Sequence, residues 1–244
     1  MQTISCTNIP LYWNAVLLEK GVKYPVKWDI SVCGHSLYHG ASGMGKSTAM
    51  LISLGHLAHY FPDSYIWVLD FKSQDYSFLK GCKRYFSFEE TVAGLADYKS
   101  AFLARQSGAD LTRNYHILVI DEMAAQLSYY QLLDRKLAET MRLDIAQLLM
   151  LTRSYAGVIL IGMQRPDTTD NFAKGARENI NSITALGTLS REARNMFFAD
   201  YADEIQPAGR GCGYFLTNGQ LNRIIVPYPR NMQKLQAAIR RLVD

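Results

Sequence analysis

Short runs of consecutive apolar residues alternate along this chain with longer segments in which apolar residues recur at helical spacing. Four runs have the length of buried strands: HSLYHG (35–40), YIWVLD (65–70), HILVID (116–121) and GVILIGM (157–163). A fifth run, SITALG (182–187), is a plausible strand as well. Helical spacing is found at 47–61, from about Phe88, and across about 127–154, where the pattern is compatible with one break.

Strands that alternate with helices are typical of a parallel sheet covered on both faces. Residues 209–226 follow a different pattern, which predicts a hairpin turned at Asn218-Gly219 and then a helix from about Asn231. Residues 1–34 lack strong periodicity, and VKWDI within them could be a short strand. We therefore expect a single α/β domain over 1–244, with a lead-in at 1–34, a core at 35–230 and a C-terminal helix at 231–244.

Composition adds a few constraints to this picture. The 244 residues suit one domain with a full core, and 48% hydrophobic with 20% charged residues is ordinary for a globular protein. No apolar run approaches 18 residues, and the N-terminus lacks a signal-peptide pattern, so we expect a cytoplasmic protein. The four cysteines are scattered, which does not favour a disulfide framework. A net charge of +4 permits a polyanionic partner without establishing one.

The segment GASGMGKS, residues 40–47, fits the pattern G-x-x-x-x-G-K-[ST] of a phosphate-binding loop. Its glycines allow several backbone N–H groups to point at one polyphosphate, Lys46 supplies a positive charge, and the Ser47 hydroxyl is a hard-oxygen ligand for Mg²⁺. A predicted strand precedes the loop and a predicted helix follows it, which argues against an incidental glycine-rich turn. The sequence therefore predicts binding of ATP with Mg²⁺. The residues expected to contact the nucleotide are Gly40, Ala41, Ser42, Gly43, Met44, Gly45, Lys46, Ser47 and Thr48.

Two of the predicted strands end in an aspartate, at Asp70 and at Asp121. Only the second strand continues with another acid, Glu122. Such a pair fits the needs of nucleotide hydrolysis: Asp121 and Ser47 would hold the metal and its water shell, and Glu122 would polarise the attacking water. The alternative is that the two acids cap the start of the next helix.

A glutamine, Gln164, follows the strand 157–163. At the mouth of a strand beside the nucleotide it could hydrogen-bond the γ-phosphate or the attacking water and report whether ATP is intact. It could equally be a turn residue ahead of Pro166.

In combination, these blocks resemble the FtsK/SpoIIIE family of DNA-translocating ATPases, within the HerA–FtsK branch of RecA-like motors. The similarity covers about residues 35–220. It includes HGASGMGKST, LDFK (70–72 with the preceding Leu), ILVIDE, GMQRPD, GARENINSITALGTLSREAR and GRGCGYF, in that order. The C-terminal half is most similar to the short FtsK-type ATPases of integrative conjugative elements and plasmids.

The resemblance implies a RecA-like P-loop fold, ATP hydrolysis, and catalytic roles for Lys46, Glu122 and Gln164. It also implies a hexameric ring that moves double-stranded DNA in conjugative transfer or DNA segregation, recruited by a membrane-anchored or transfer-machinery partner. In such a ring an arginine supplied by the neighbouring subunit offsets the charge of the transferring phosphoryl group. Arg191 and Arg194 are the candidates, and two solvated arginines on a helix are the alternative.

Direct DNA contact is the part of this prediction with least support from the residues. Lys174, Arg177 and Arg113 are candidates for phosphate contacts, but they form no dense basic patch and solvated surface charge is the simpler interpretation. Two other functions stay open: a protein-translocating ATPase of the type VII secretion kind, which shares the motor core, and a non-catalytic assembly subunit that binds ATP. Two histidines, His56 and His59, share a helix face without a carboxylate partner, so no metal site is predicted there.

Overall fold

The computed structural model describes residues 7–164, 172 and 175–244. Within these ranges ten strands join in one sheet: β1 (Asn8–Asn14), β2 (Pro25–Asp29), β3 (Ser36–Gly40), β4 (Tyr65–Asp70), β5 (Tyr85–Ser87), β6 (His116–Asp121), β7 (Gly157–Met163), β8 (Ser182–Leu186), β9 (Cys212–Thr217) and β10 (Gln220–Ile225). The α-helices are α1 (Ala15–Glu19), α2 (Lys46–Tyr60), α3 (Thr91–Gln106), α4 (Met123–Leu133), α5 (Arg135–Leu151), α6 (Arg191–Phe197) and α7 (Met232–Val243).

The sheet has a parallel half and an antiparallel half. Its strand order is β2-β1-β10-β9-β8-β3-β7-β6-β4-β5, in which the six strands from β8 to β5 run parallel and the other four pair antiparallel. The carboxyl ends of β3, β4, β6 and β7 therefore lie along one edge, where ligands of open α/β sheets bind. This architecture confirms the predicted α/β fold with a mainly parallel central sheet.

Helices cover both faces of the parallel half because successive residues of each strand are buried on opposite sides. On β6, Ile117 and Val119 pack in the cluster that includes α2 and α7, whereas Leu118 and Ile120 pack in the cluster that includes α3, α4 and α5. All six residues of β6 are buried. This double burial explains why the central strands are continuous apolar runs.

Two strands were not predicted from the sequence, β1 and β5. β1 pairs with β10 and β2 in the antiparallel half, and only three of its seven residues, Ile9, Leu11 and Tyr12, are buried. Its apolar residues are interrupted by Pro10, which disfavours a strand interior. β5 has only three residues. Neither strand therefore resembles the long, fully buried runs of the central strands. Part of the predicted lead-in thus belongs to the sheet, and the division of the chain into lead-in, core and C-terminal helix stays a prediction.

The chain reverses direction at the predicted hairpin, and the predicted break divides the long helical region. Asn218 and Gly219 both have positive φ, 49° and 69°, as a two-residue hairpin turn requires. Asp134 separates α4 from α5, and its carboxylate accepts hydrogen bonds from the backbone N–H groups of Lys136 and Leu137. None of the helices in the described ranges is both long and apolar enough to cross a membrane.

Candidate nucleotide site

The predicted phosphate loop connects the carboxyl end of β3 to the first turn of α2. Gly43 and Gly45 have φ values of 80° and 102°, which residues with a side chain rarely adopt. Gly45 occupies the N-cap of α2, and no side chain caps the N–H groups of the first turn. A long helix whose first N–H groups are not satisfied by its own side chains is suited to bind phosphate.

Lys46 at the start of α2 lies between the two predicted acids. Its Nζ is 2.7 Å from Asp121 Oδ1 and 2.7 Å from Glu122 Oε1, and the residue is only 5% exposed. β6 lies two strands from β3 in the sheet, with β7 between them. The structure thus brings together the loop and the two acids that the sequence predicted, although their catalytic roles stay predictions.

Burial and charge act in opposite directions within this group. Burial alone would lower the pKa of Lys46, but the charges of Asp121 and Glu122 raise it above its ordinary value. Burial would raise the pKa of Glu122, but the charge of Lys46 holds that pKa below its usual range. Burial raises the pKa of the more deeply placed Asp121, and the charge of Lys46 offsets only part of that effect. Glu122 is therefore the carboxylate best held in its ionised form.

Three donors converge on one oxygen of Glu122. Besides Lys46, Gln164 Nε2 donates to Glu122 Oε1 at 2.8 Å, and Lys72 Nζ lies 3.3 Å from the same atom. Glu122 itself has a φ of 56°, in the left-handed region where a non-glycine residue is strained. This conformation turns the chain from β6 into α4 and leaves the carboxylate at the mouth of the strand. The sequence-predicted Gln164 is therefore part of the group, with its sensor role still a prediction.

Ser47, the predicted Mg²⁺ ligand, donates its hydroxyl proton to Asp75 Oδ2 at 2.6 Å. Asp121, the other predicted ligand, is fully buried, and its Oδ2 has no hydrogen-bond partner among the described residues. Hydroxyl and carboxylate oxygens are the ligands that Mg²⁺ prefers, so Ser47 and Asp121 fit this ion. Such an unpartnered buried oxygen is also the kind of group that a bound ion or its water would satisfy.

Gly162 on β7 leaves the space in which Lys46 and Asp121 meet. A Cβ atom at this position would lie 2.7 Å from Asp121 Oδ1 and 3.0 Å from Lys46 Nζ. Both distances are shorter than ordinary van der Waals contact. The absence of a side chain at position 162 is therefore a condition for the ion pair.

The block GRGCGYF reaches the phosphate loop from the start of the hairpin. Gly211 N–H donates to the carbonyl of Met44 at 2.9 Å, and Arg210 lines the same cavity as the loop. That cavity has a volume of about 280 Å³. Its lining is formed by Ala41, Ser42, Gly43, Gly45, Lys46, Ser47, Thr48, Lys72, Gln74, Asp75, Glu122, Gln164 and Arg210.

A larger cavity, of about 600 Å³, lies between the hairpin and α1. Its lining includes Glu19, Arg223 and Glu204 but none of the phosphate-loop residues. The smaller cavity is the better candidate for the nucleotide because the helix N-terminus, the lysine and the acids converge there.

The predicted arginines are not part of this cavity. Arg191 is exposed on the first turn of α6. Arg194 is partly buried, and its buried Nε has no hydrogen-bond partner in the part of the chain that the structure describes. Neither lines the cavity in this single chain, so a role in a neighbouring subunit's site stays a prediction. Of the DNA-contact candidates, Arg113 lies in the loop before β6 at the opposite edge of the sheet, Arg177 is exposed, and Lys174 lies outside the described residues.

Five residues at or beside the nucleotide cavity were not assigned a role from the sequence: Lys72, Gln74, Asp75, Gly162 and Arg210. Lys72 belongs to the LDFK block, Gly162 to the GMQRPD block and Arg210 to the GRG block, so the resemblance pointed to their segments. Asp75 lies outside these blocks, and its contact with Ser47 joins residues far apart in the sequence.

Comparisons with known proteins find a similar fold in solved structures of conjugation and secretion proteins. No protein-family model matches the sequence, and the search of curated proteins finds no match. Among solved structures, the pCW3 conjugation coupling protein TcpA, in its monomer form with ATPγS, superposes with a TM-score of 0.70 at 18% identity, covering 93% of this chain and 67% of TcpA. The cytoplasmic domain of the type VII secretion ATPase EccC of Thermomonospora curvata gives 0.69 at 21% identity, covering 97% of this chain.

The cytoplasmic domain of EssC is also similar, with a TM-score of 0.66 at 18% identity over 91% of this chain. The chain spans only 31% of the EccC structure and 43% of the EssC structure. At these identities the similarity shows a shared fold, which agrees with the resemblance to FtsK-type ATPases.

Proposed function

We propose that this chain is the motor core of an ATP-driven translocase of the FtsK type, which moves double-stranded DNA as a ring. The observation that carries the ATPase part is the position of Lys46, buried between Asp121 and Glu122 at the uncapped N-terminus of α2. A lysine at that place meets the outer phosphates of a nucleotide bound in the cavity, and the two acids lie at the edge where metal and water are needed.

Each residue then has a defined task. The backbone N–H groups of 41–48 bind phosphate oxygens, and Lys46 turns from Glu122 towards the outer phosphates. Mg²⁺, when bound, neutralises charge on the phosphates, and Ser47 and Asp121 would hold it. Glu122, released from Lys46, orients a water and accepts its proton as the water oxygen forms the new bond to the γ-phosphorus and the bond to the bridging oxygen breaks. The products are ADP and phosphate.

Gln164 is proposed as the residue that reports this step. Its amide already donates to Glu122 at 2.8 Å, so a change in the position of Glu122 alters the carboxyl end of β7 directly. Residues 165–171, which follow at once, include part of the GMQRPD block and lie outside the described residues. We propose that Gln164 passes the state of the nucleotide to this segment.

The DNA substrate is supported by the similarity to a conjugation coupling protein, and a net charge of +4 is compatible with it. The proposal has three further parts. The chain forms a hexameric ring, Arg191 or Arg194 acts in the site of the neighbouring subunit, and a transfer machine recruits the motor from the cytoplasm. The second candidate function is protein translocation, which the similarity to EccC over 97% of this chain favours.

The test measures ATPase rate with and without duplex DNA over a series of salt concentrations. We expect DNA to raise the ATPase rate. This stimulation should fall steeply as salt increases, because binding to DNA phosphates releases counterions and is therefore weakened by salt. Lys46→Ala should abolish nucleotide binding or turnover in the same assay. Unchanged hydrolysis in that variant would remove the phosphate-loop assignment.

Two further outcomes separate the alternatives. Stimulation by a secretion-substrate peptide and not by DNA would favour the protein translocase. Tight ATP binding with no turnover under any of these conditions would favour a non-catalytic assembly subunit. Mass measurement with ATPγS tests the ring, since a chain that remains monomeric with nucleotide and DNA contradicts a trans arginine.

A further inference from the structure

The loop that follows β4 forms one wall of the nucleotide cavity. Lys72, Gln74 and Asp75 of this loop line the cavity, while Asp121 is fully buried behind Lys46 and is not part of the lining. Asp75 is the loop residue that contacts the phosphate loop, through the hydrogen bond from Ser47 Oγ to Asp75 Oδ2 at 2.6 Å. The exposed acid nearest to the predicted metal ligand is thus one that the sequence did not single out.

The position of Asp75 is fixed by the buried Asp70 at the end of β4. Asp70 Oδ2 accepts from the Tyr76 backbone N–H at 3.2 Å and from the Tyr85 hydroxyl at 3.1 Å. The Ser73 N–H donates to the Asp70 carbonyl at 3.1 Å, and Ser73 has a positive φ of 57°. These bonds close the loop on itself, so Asp75 is presented to Ser47 by a folded segment and not by a free one.

The chemistry of a hydroxyl ligand explains why this contact matters for a metal. A serine that binds Mg²⁺ uses an oxygen lone pair for the ion and needs an acceptor for its proton. Asp121 Oδ1 already pairs with Lys46, whereas Asp75 accepts the proton of Ser47. Partners that orient a metal ligand in this way typically contribute 10- to 100-fold to metal affinity, as an order of magnitude.

We propose that Asp75 is a positioning residue for the metal, which orients Ser47 towards Mg²⁺ and adds a second negative charge beside the one on Asp121. This inference rests on the proposed nucleotide function. When phosphates engage Lys46, Asp75 would remain beside Ser47 as a negative charge available to the cation.

The experiment titrates Mg²⁺ into the full chain with a fluorescent ADP analogue and compares wild type with Asp75→Ala, Asp75→Asn and a control, Asp63→Ala. Asp63 is exposed in the turn before β4, at the opposite end of that strand. We expect Asp75→Ala to raise the Mg²⁺ concentration for half-maximal effect by about tenfold without weakening ADP binding in EDTA, since loss of this carboxylate lessens the repulsion of the phosphates. Asp75→Asn should show a smaller increase, because its amide oxygen still accepts from Ser47.

The outcomes distinguish this inference from the proposed function. If wild type binds ADP with a clear Mg²⁺ effect and Asp75→Ala has the same Mg²⁺ requirement as Asp63→Ala, the inference about Asp75 is overturned and the nucleotide site stands. An equal loss of ADP affinity in EDTA would assign Asp75 a structural role and would also overturn it. If wild type does not bind nucleotide with Mg²⁺ present, the proposed function itself fails.

Discussion

The ends of β4 and β6 are nearly identical in sequence and differ in chemistry. Each strand is a run of apolar residues that ends in a fully buried aspartate, and Asp70 and Asp121 are direct partners in the parallel register. Asp70 accepts hydrogen bonds from Tyr76 and Tyr85 of its own edge of the sheet, whereas Asp121 pairs with Lys46. The role of the aspartate is therefore set by the neighbours that the strand order provides. β6 is one strand nearer to the phosphate loop than β4.

The residue after each aspartate gives the sharpest test of this difference. β6 continues with Glu122 and β4 with Phe71. Replacement of Glu122 by Gln removes the base but keeps an amide of the same shape, so we expect turnover to fall by about 1,000-fold with nucleotide binding retained. Single-turnover hydrolysis and ADP-analogue binding measure the two quantities. An active Glu122→Gln variant would mean that another group positions the water.

The same substitution at the two aspartates tests the comparison directly. Asp121→Asn removes the charge that Lys46 pairs with, and we expect a loss of about 100-fold in turnover. Asp70→Asn keeps an oxygen that accepts from Tyr76 and Tyr85, so turnover should change by less than about threefold. Steady-state ATPase rates of the two variants test this difference. Equal losses of ATPase rate would show that the two strand ends are equivalent.

A substitution at Gly162 would disturb the ion pair of Asp121 at the end of β6 and leave Asp70 at the end of β4 unchanged. In Gly162→Ala the added Cβ would lie 2.7 Å from Asp121 Oδ1, which forces the carboxylate or Lys46 to move. We expect turnover to fall by about tenfold or more. Gly209→Ala is the matched control, because a Cβ there meets nothing within 4 Å and its φ is not positive. Equal rates in both variants would show that Gly162 does not shape the site.

The first residues of β4 and β6 allow the two strands to be compared in their effect on folding stability, where we expect the smallest change. His116 begins β6 opposite Tyr65 of β4, and burial, with the nearby charge of Arg105, lowers its pKa to about 4. The unfolded chain binds this proton near pH 6.5 and the folded chain does not, so stability is lost as pH falls from about 6.5 towards 4. His116→Phe should reduce the loss between pH 7 and 5 by about 2 kcal/mol in urea titrations. An unchanged pH dependence would exclude this contribution.

The central strands and the acids Asp121 and Glu122 could be predicted from the sequence because each is encoded by consecutive residues. HILVID and GVILIGM coincide with β6 and β7, since a strand buried on both faces needs apolar residues throughout. Gly43, Gly45 and Lys46 likewise form a contiguous pattern. β1 is interrupted by Pro10 and is only partly buried, and β5 has only three residues, so neither gives this signal.

The rest of the site depends on how distant segments meet. The contact between Asp75 and Ser47 spans 28 positions and exists because Asp70 folds the intervening loop. The lack of a side chain at Gly162 is important only because Lys46 and Asp121 fill the space next to it in the folded chain. Arg191 and Arg194 could be judged only against a second copy of the chain, since neither lines this chain's own cavity.

The double pairing of Lys46 has a consequence for the end of the reaction cycle. A lysine buried alone would carry a large desolvation cost whenever the products departed, and an empty site would then be an unfavourable state. Here two carboxylates already pair with Lys46 when no nucleotide is bound. In the proposed cycle they would compete with phosphate and ADP for the same ammonium group, which would favour product release and prepare the site for the next round.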